Sequence, residues 1–274
     1  MNLLLTYWPL IVGLSISGCV SGVFAGLLGV GGGVIIVPIL STAFEAMGFS
    51  GDIAQHVAVA SSLAIIMPTG AMSARAHYRR DAVDTEALRL WAPFVLVGTL
   101  IGGLLARWFT GEALRIVFGV IALLIALNIV TPFQQRLMGH LRSSATTHRV
   151  AASIVGFLSS LMGIGGGSLS VPTMVAFGTT MHRAVGTGAA IGVFVAIGGT
   201  IGYIVSGWGV AGTPPLSLGY VNLIAFALVG AFSALTAPLG VALAHRLNQK
   251  ALKYVFAVFL VAVAINMIWK AISG

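Results

Sequence analysis

The chain alternates long apolar runs with short polar connections. Residues 57–74, 87–106, 113–130, 184–206, 220–244 and 251–268 are runs of this kind. Each approaches or exceeds the roughly 20 residues that cross a bilayer as helix. Two further apolar stretches do not fit that template. Residues 1–44 carry no charge and are long enough for one helix and a half-helix, while residues 150–182 are too few for two crossings and a turn. Each of these stretches is interrupted by a run of glycines, and each suits helical pieces meeting at a break.

The interruptions are two copies of one phrase. Gly26 to Pro38 reads G-L-L-G-V-G-G-G-V-I-I-V-P and Ser160 to Pro172 reads S-L-M-G-I-G-G-G-S-L-S-V-P. Gly163 follows Gly29 by 134 residues (163 − 29), close to half the chain, which indicates an internal duplication. Later landmarks agree with a slightly larger offset: E-A-L-R-I-V-F-G-V from Glu112 matches K-A-L-K-Y-V-F-A-V from Lys250, 138 residues on (250 − 112). We divide the chain into a first repeat at 1–135, with a broken helix at 29–38 and three spans, a linker at 136–149, and a second repeat at 150–274, with a broken helix at 163–172 and three spans. The predicted fold is an all-α integral membrane protein, a polytopic helical bundle of two homologous halves.

Charge orients the halves. The segment R-A-H-Y-R-R-D from Arg75 to Asp81 and the loop 131–149 are basic and read as cytoplasmic, whereas 45–56 is acidic and 208–219 is uncharged. Corresponding loops therefore carry opposite signals. This predicts inverted repeats, in which each glycine element is re-entrant and returns to the face it entered; an eight-span bundle of parallel repeats stays open as the alternative.

Composition narrows the chemistry. Of 274 residues, 58% are hydrophobic and 7% charged, with a mean hydropathy of +1.05, against about 25% charged in soluble domains. The net charge of +8 lies mostly between apolar runs, so it reads as topology rather than nucleic-acid binding. All six acids fall in or beside connections and none follows Glu112, which removes an intramembrane carboxylate relay or cation site and favours an anionic or neutral cargo. The single cysteine, Cys19, excludes an intramolecular disulfide and a cysteine-based metal site, and no cofactor or metal is expected.

Consecutive glycines make poor helix interior. At membrane depth, irregular backbone is tolerated where it lines a cavity or is buried in protein. In inverted-repeat transporters, half-helix N-termini at such breaks face anionic substrate groups near the midplane. The candidate substrate-binding residues are Gly31, Gly32, Gly33 and Val34 in the first phrase and Gly165, Gly166, Gly167 and Ser168 in the second. Half-helices are expected to begin at Val34-Ile35 and Ser168-Leu169. Ser61, Ser62, Thr187 and Ser170 are candidate hydroxyl donors, each competing with a bond to its own helix. Arg75 and His77 are a candidate anion vestibule. Neither phrase is a dinucleotide fingerprint or a phosphate loop, and no serine has an intramembrane base, so the chain is not read as an enzyme.

The doubled G-x-G-G-G-x-x-x-x-P phrase, with S-S-L-A-I-I-M-P-T-G-A-M-S-A-R-A-H-Y-R-R from Ser61 to Arg80, resembles the TauE/SafE family of sulfite and organosulfonate exporters over nearly the whole chain. The first half reads Ala60-Ser61-Ser62 where that family often looks like Gly-Thr-Ser, and the second half reads Gly186-Thr187-Gly188. The resemblance implies a multi-pass transporter of the bacterial inner membrane moving small sulfur-containing anions outward. A passive anion channel is the alternative; an intramembrane enzyme or a membrane assembly subunit are readings from other classes. Partners are then the anion (sulfite, a sulfonate or similar) and the lipid bilayer. A homodimer is compatible with the sequence, which sets no oligomeric state.

Overall fold

The computed structural model describes residues 12–24, 32–131, 144–244 and 249–273. Ten α-helices occupy them. They are α1 (Val12–Phe24), α2 (Gly33–Ala46), α3 (Gly51–Tyr78), α4 (Thr85–Leu105), α5 (Gly111–Val130), α6 (Ala145–Met162), α7 (Gly167–Ala176), α8 (Met181–Ser206), α9 (Leu223–Ala244) and α10 (Gln249–Ser273). Among the described residues, α3, α4, α5, α8 and α10 each contain a stretch long and apolar enough to cross a membrane. The 22 residues of α9 are as long. The protein is an all-α polytopic membrane protein.

Local chemistry sets the helix starts. The Ser50 hydroxyl accepts the Ile53 N–H, Asp84 accepts that of Ala87, Thr110 that of Ala113 and Ser144 that of Thr147, each satisfying an N–H the helix itself leaves unpaired. The Ser144 cap starts α6 at Ala145, so residues 145–149 are helix rather than the linker expected there; the remainder of that linker up to residue 143 lies largely outside the described residues. Pro68 and Pro93 sit inside unbroken helices. The charge-free loop after α8 contains a two-stranded hairpin, β1 (Ser217–Leu218) and β2 (Val221–Asn222), and α9 therefore starts at Leu223 rather than Tyr220.

Two ends of the bundle can be told apart. At the Ser50 end, the His56 ring lies against the Ala106 carbonyl at the close of α4 and stacks on Tyr220, 4.9 Å away. Asp52 accepts the Gly111 N–H at the start of α5. Glu45, at the end of α2, binds Lys270 near the end of α10 at 2.6 Å. At the Asp84 end, the Asp84 N–H donates to Thr187 near the start of α8 at 2.8 Å, and Trp91 donates to His148 in the first turns of α6 at 3.1 Å.

Phe177, which closes α7, stacks on His148 with ring centroids 4.1 Å apart. Hence α6 and α7 form a hairpin that leaves the bundle at the end where it began. In the first half, α2 returns to the Ser50 end, and α1 runs alongside α9, with Gly18 against Val229 and Gly22 against Ser233. The connection between α1 and α2 lies outside the described residues.

The core is packed through small residues. A Cβ added to Gly156 of α6 would lie 2.5 Å from the Val95 carbonyl of α4, and one on Gly202 of α8 would lie 2.8 Å from the Gly103 Cα of α4, so α4 is clasped backbone to backbone between α6 and α8. Two pairs of helix starts repeat with the offsets of the motifs: Gly33 and Gly167 differ by 134 (167 − 33), Thr85 and Leu223 by 138 (223 − 85), whereas Gly51 and Met181 differ by 130 (181 − 51). The contact of Gly22 with Ser233 has the same spacing relative to that of Gly156 with Val95.

Candidate functional site

Gly163 closes α6 in the left-handed region, with φ of 68°, where a side chain would be strained. The Ile164 N–H turns back to the Ser159 carbonyl at 3.2 Å, which ends the helix in one tight turn. Gly165 and Gly166 follow, and α7 starts at Gly167, one residue before the expected Ser168. In the first half, Gly32 is left-handed at φ of 74° and caps α2, which starts at Gly33, again one residue early. Neither cap uses a side chain. Gly31 lies outside the described residues.

The second hairpin tip meets the start of α2 directly. A Cβ on Gly33 would lie 2.5 Å from the Gly163 carbonyl, and one on Gly163 would lie 2.8 Å from Val37 of α2 and 2.9 Å from the Val59 Cα of α3. A Cβ on Gly166 would lie 2.7 Å from the Gly192 N of α8. Glycine is required here by contact as well as by conformation. Proline at Pro38 and Pro172 adds a second effect: it withdraws the N–H that would bond the carbonyls of Val34 and Ser168 four residues earlier. Each half-helix thus begins with N–H groups lacking intrahelical acceptors and carries a carbonyl without its intrahelical donor one turn inside.

The hydroxyls separate into two groups. Ser62 donates to the Gly163 carbonyl at 2.7 Å and holds the tip. Ser61 accepts the Asn222 N–H at 2.9 Å, tying the β hairpin to α3, and Thr187 accepts the Asp84 N–H at 2.8 Å. These three act within the scaffold. Ser168 and Ser170, by contrast, are buried and have no hydrogen-bond partner, while Val34 is 1% exposed and packs in the core.

Arg75 and His77 lie away from the tips. Ile66 touches the Gly33 position, and Arg75 is nine residues further along α3, about 14 Å by helical rise. A cavity of about 650 Å³ opens at the same end of the bundle, lined by Asp84, Glu86, His148, Phe177, Thr180 and Arg183 among others. Neither Arg75 nor His77 lines it.

Residues absent from the sequence expectations complete the picture. Arg115 of α5 is 5% exposed and reaches Glu45 of α2 and the Gly51 carbonyl, while Lys270 binds the other oxygen of Glu45. Arg115 is the one Lys, Arg, Asp or Glu in the buried set among the described residues. Ser41 and Gln55 are fully buried and unpartnered. A lone glutamine near the start of an apolar helix reads as interfacial; the signal was its position on the stripe that continues through Val59, Ser62 and Ile66.

Comparison with known proteins agrees with this architecture. The family model described as "Sulfite exporter TauE/SafE" matches residues 14–267. A "Probable membrane transporter protein" of Haemophilus influenzae is 32% identical over 92% of this chain and 96% of its own length. "Probable membrane transporter protein YunE" of Bacillus subtilis is 28% identical over 94% and 97%, and a probable membrane transporter protein of Methanocaldococcus jannaschii is 25% identical over 95% of each. No solved structure matches. With the family model reaching from within α1 to within α10, the chain belongs to the sulfite exporter TauE/SafE family of membrane transporters.

Proposed function

We propose that the protein is a secondary transporter that exports a small anion, sulfite or an organosulfonate, across the bacterial inner membrane. The anion is held where the two glycine phrases meet. The observation that carries this reading is the backbone-to-backbone contact of Gly33 with Gly163, beside an α7 N-terminus whose first turn buries Ser168 without a partner. A half-helix N-terminus carries roughly half a positive elementary charge. It accepts an anion without a lysine or arginine, in keeping with a tip region where the unpartnered groups are hydroxyls and an amide.

The same proposal takes the chain as an inverted duplication, 1–135 and 150–274 joined by 136–149, with re-entrant hairpins at the two glycine runs. The hairpin of α6 and α7, the return of α2 to the Ser50 end and the repeated helix starts support it. Arg75, Arg79, Arg80, Arg149 and Arg183 belong to the Asp84 end and Arg107, Arg115 and Lys270 to the Ser50 end, so the Asp84 end is cytoplasmic by the positive-inside tendency. Arg75 then stands at the cytoplasmic mouth as an attractor for anions.

Sulfite flux from proteoliposomes, with and without an imposed pH gradient, tests the function. Gradient-accelerated, saturable flux is expected. Flux indifferent to the gradient and unsaturable identifies a passive channel, and absence of oxyanion flux in vesicles that contain inserted protein overturns the proposal.

A further inference from the structure

Gln55 is 0% exposed, yet neither its Nε2 nor its Oε1 has a hydrogen-bond partner; Ser41 is likewise 0% exposed and its Oγ unpartnered. Buried polar groups are almost always paired, because an unmade bond in the interior costs free energy. An isolated amide at this depth therefore asks what it is kept for.

Its placement answers. Gln55 precedes Val59 by one turn on the stripe of α3 that also carries Ser62 and Ile66. Val59 touches Gly163, and Ser62 bonds the Gly163 carbonyl. Ser41 follows Val37 by one turn on α2, and Val37 touches Gly163 from the other side. Both steps lead toward the Ser50 end. Because α7 runs from the tip toward the Asp84 end, its N-terminus, where the Ser168 and Ser170 N–H groups turn back to the Gly165 and Gly166 carbonyls, directs the positive end of the helix dipole toward the Ser50 end as well. The amide and the hydroxyl therefore each stand one helical turn from a residue that touches the tip, on the side toward which the α7 N-terminus is directed.

We infer that Gln55 and Ser41 are the side chains that read the cargo, and that the form they select is a singly charged oxyanion bearing a proton or another hydrogen-bond donor. This rests on the anion-site reading above and deepens it. The amide offers two donors and an acceptor, and the hydroxyl one of each. An ion with acceptor oxygens only leaves Oε1 of Gln55 unmatched, whereas a hydrogen-bearing anion pairs with both ends. The helix N-terminus supplies a fractional charge, and the nearby Arg115, which reaches the Gly51 carbonyl one turn before Gln55, has its charge offset by Glu45, so a monoanion is better compensated than a dianion.

The test uses purified full-length protein, calorimetric titration with sodium sulfite across pH, sodium sulfate as an oxyanion that stays doubly charged, and tetramethylammonium chloride as the cationic control. Thermal unfolding without ligand is recorded in parallel. Gln55→Met, close in length and unbranched, removes an unsatisfied buried amide. It should unfold at the same or a higher temperature than wild type, while sulfite affinity drops at least tenfold. Ser41→Ala should cost severalfold. Wild-type affinity should fall as pH rises and the protonated anion is lost, with sulfate weak throughout.

Gln55→Glu keeps the shape and should abolish binding by repulsion. It stands as the second variant should Gln55→Met insert poorly. Sulfite affinity within twofold of wild type in Gln55→Met or Gln55→Glu overturns the inference and leaves the anion site standing. Sulfate binding as tightly as sulfite at every pH overturns the selection of a monoanion. Failure of wild type to bind any oxyanion overturns the anion-site reading and this inference with it.

Discussion

At the scale of single residues, the hydroxyls near the tips do different work, and their partners say which. Ser62 is the donor to the Gly163 carbonyl. Ser62→Ala leaves a buried carbonyl unpaired and should destabilise the protein by about 1–3 kcal/mol, as measured by thermal unfolding in detergent. Ser168→Ala removes a hydroxyl that has no partner. It should leave unfolding unchanged and weaken anion binding by only about 0.5–1.5 kcal/mol, the worth of one hydrogen bond, since backbone N–H groups supply the rest. Gly166→Leu places a side chain where 2.7 Å separates an added Cβ from the Gly192 N; transport should be lost, and wild-type transport in that variant would show that the close approach of the tip to α8 is not needed.

The sequence made the glycines legible because their constraint is local: a left-handed φ at Gly32 and Gly163, and no room for a Cβ. The roles of Ser61, Ser62 and Thr187 were not legible in the same way. Their partners, Asn222, Gly163 and Asp84, lie 161, 101 and 103 residues away in the chain, and no periodicity announces such a pairing. Gln55 and Ser41 were passed over for the same reason, since whether a buried polar atom has a partner is a property of the packed molecule.

At the scale of elements, the spans and both breaks followed from hydrophobic runs and glycine, while their ends shifted with capping and tertiary contact. The α6 start moved to Ala145 because Ser144 caps it, and α9 started late because Asn222 accepts the Ala225 N–H and anchors the β hairpin. The end of α2 is held by an ionic clasp: Glu45 joins Arg115 of α5 and Lys270 of α10. Arg115 is buried, so Glu45→Gln leaves its charge uncompensated. Breaking such a buried pair costs about 3–5 kcal/mol, and the 24% exposure of the Glu45 side chain places the expected loss toward or below the lower figure. Lys270→Met removes a partly exposed partner and should cost less than about 1 kcal/mol. Thermal unfolding of both variants checks the order; equal losses would show that Arg115 does not depend on Glu45.

At the scale of the whole molecule, inversion makes one prediction that hydropathy cannot. In a Cys19→Ser background, a cysteine at Thr213, in the loop after α8 at the Ser50 end, and one at Ser144, at the start of α6, should label from opposite sides of the membrane. Labelling from the same side would contradict three crossings per half.

The central claim is that the cargo is an anion held at the α7 N-terminus, and one measurement addresses it most directly. Calorimetric titration of purified wild type and of Ser168→Asp with sulfite and a cationic control places a fixed negative charge in the first turn of α7, where like-charge repulsion in a low-dielectric site is large. The account predicts that wild type binds sulfite and not the cation, and that Ser168→Asp, still folded, does not bind sulfite. Unchanged anion affinity in Ser168→Asp, or preference of the wild type for the cation, would contradict it.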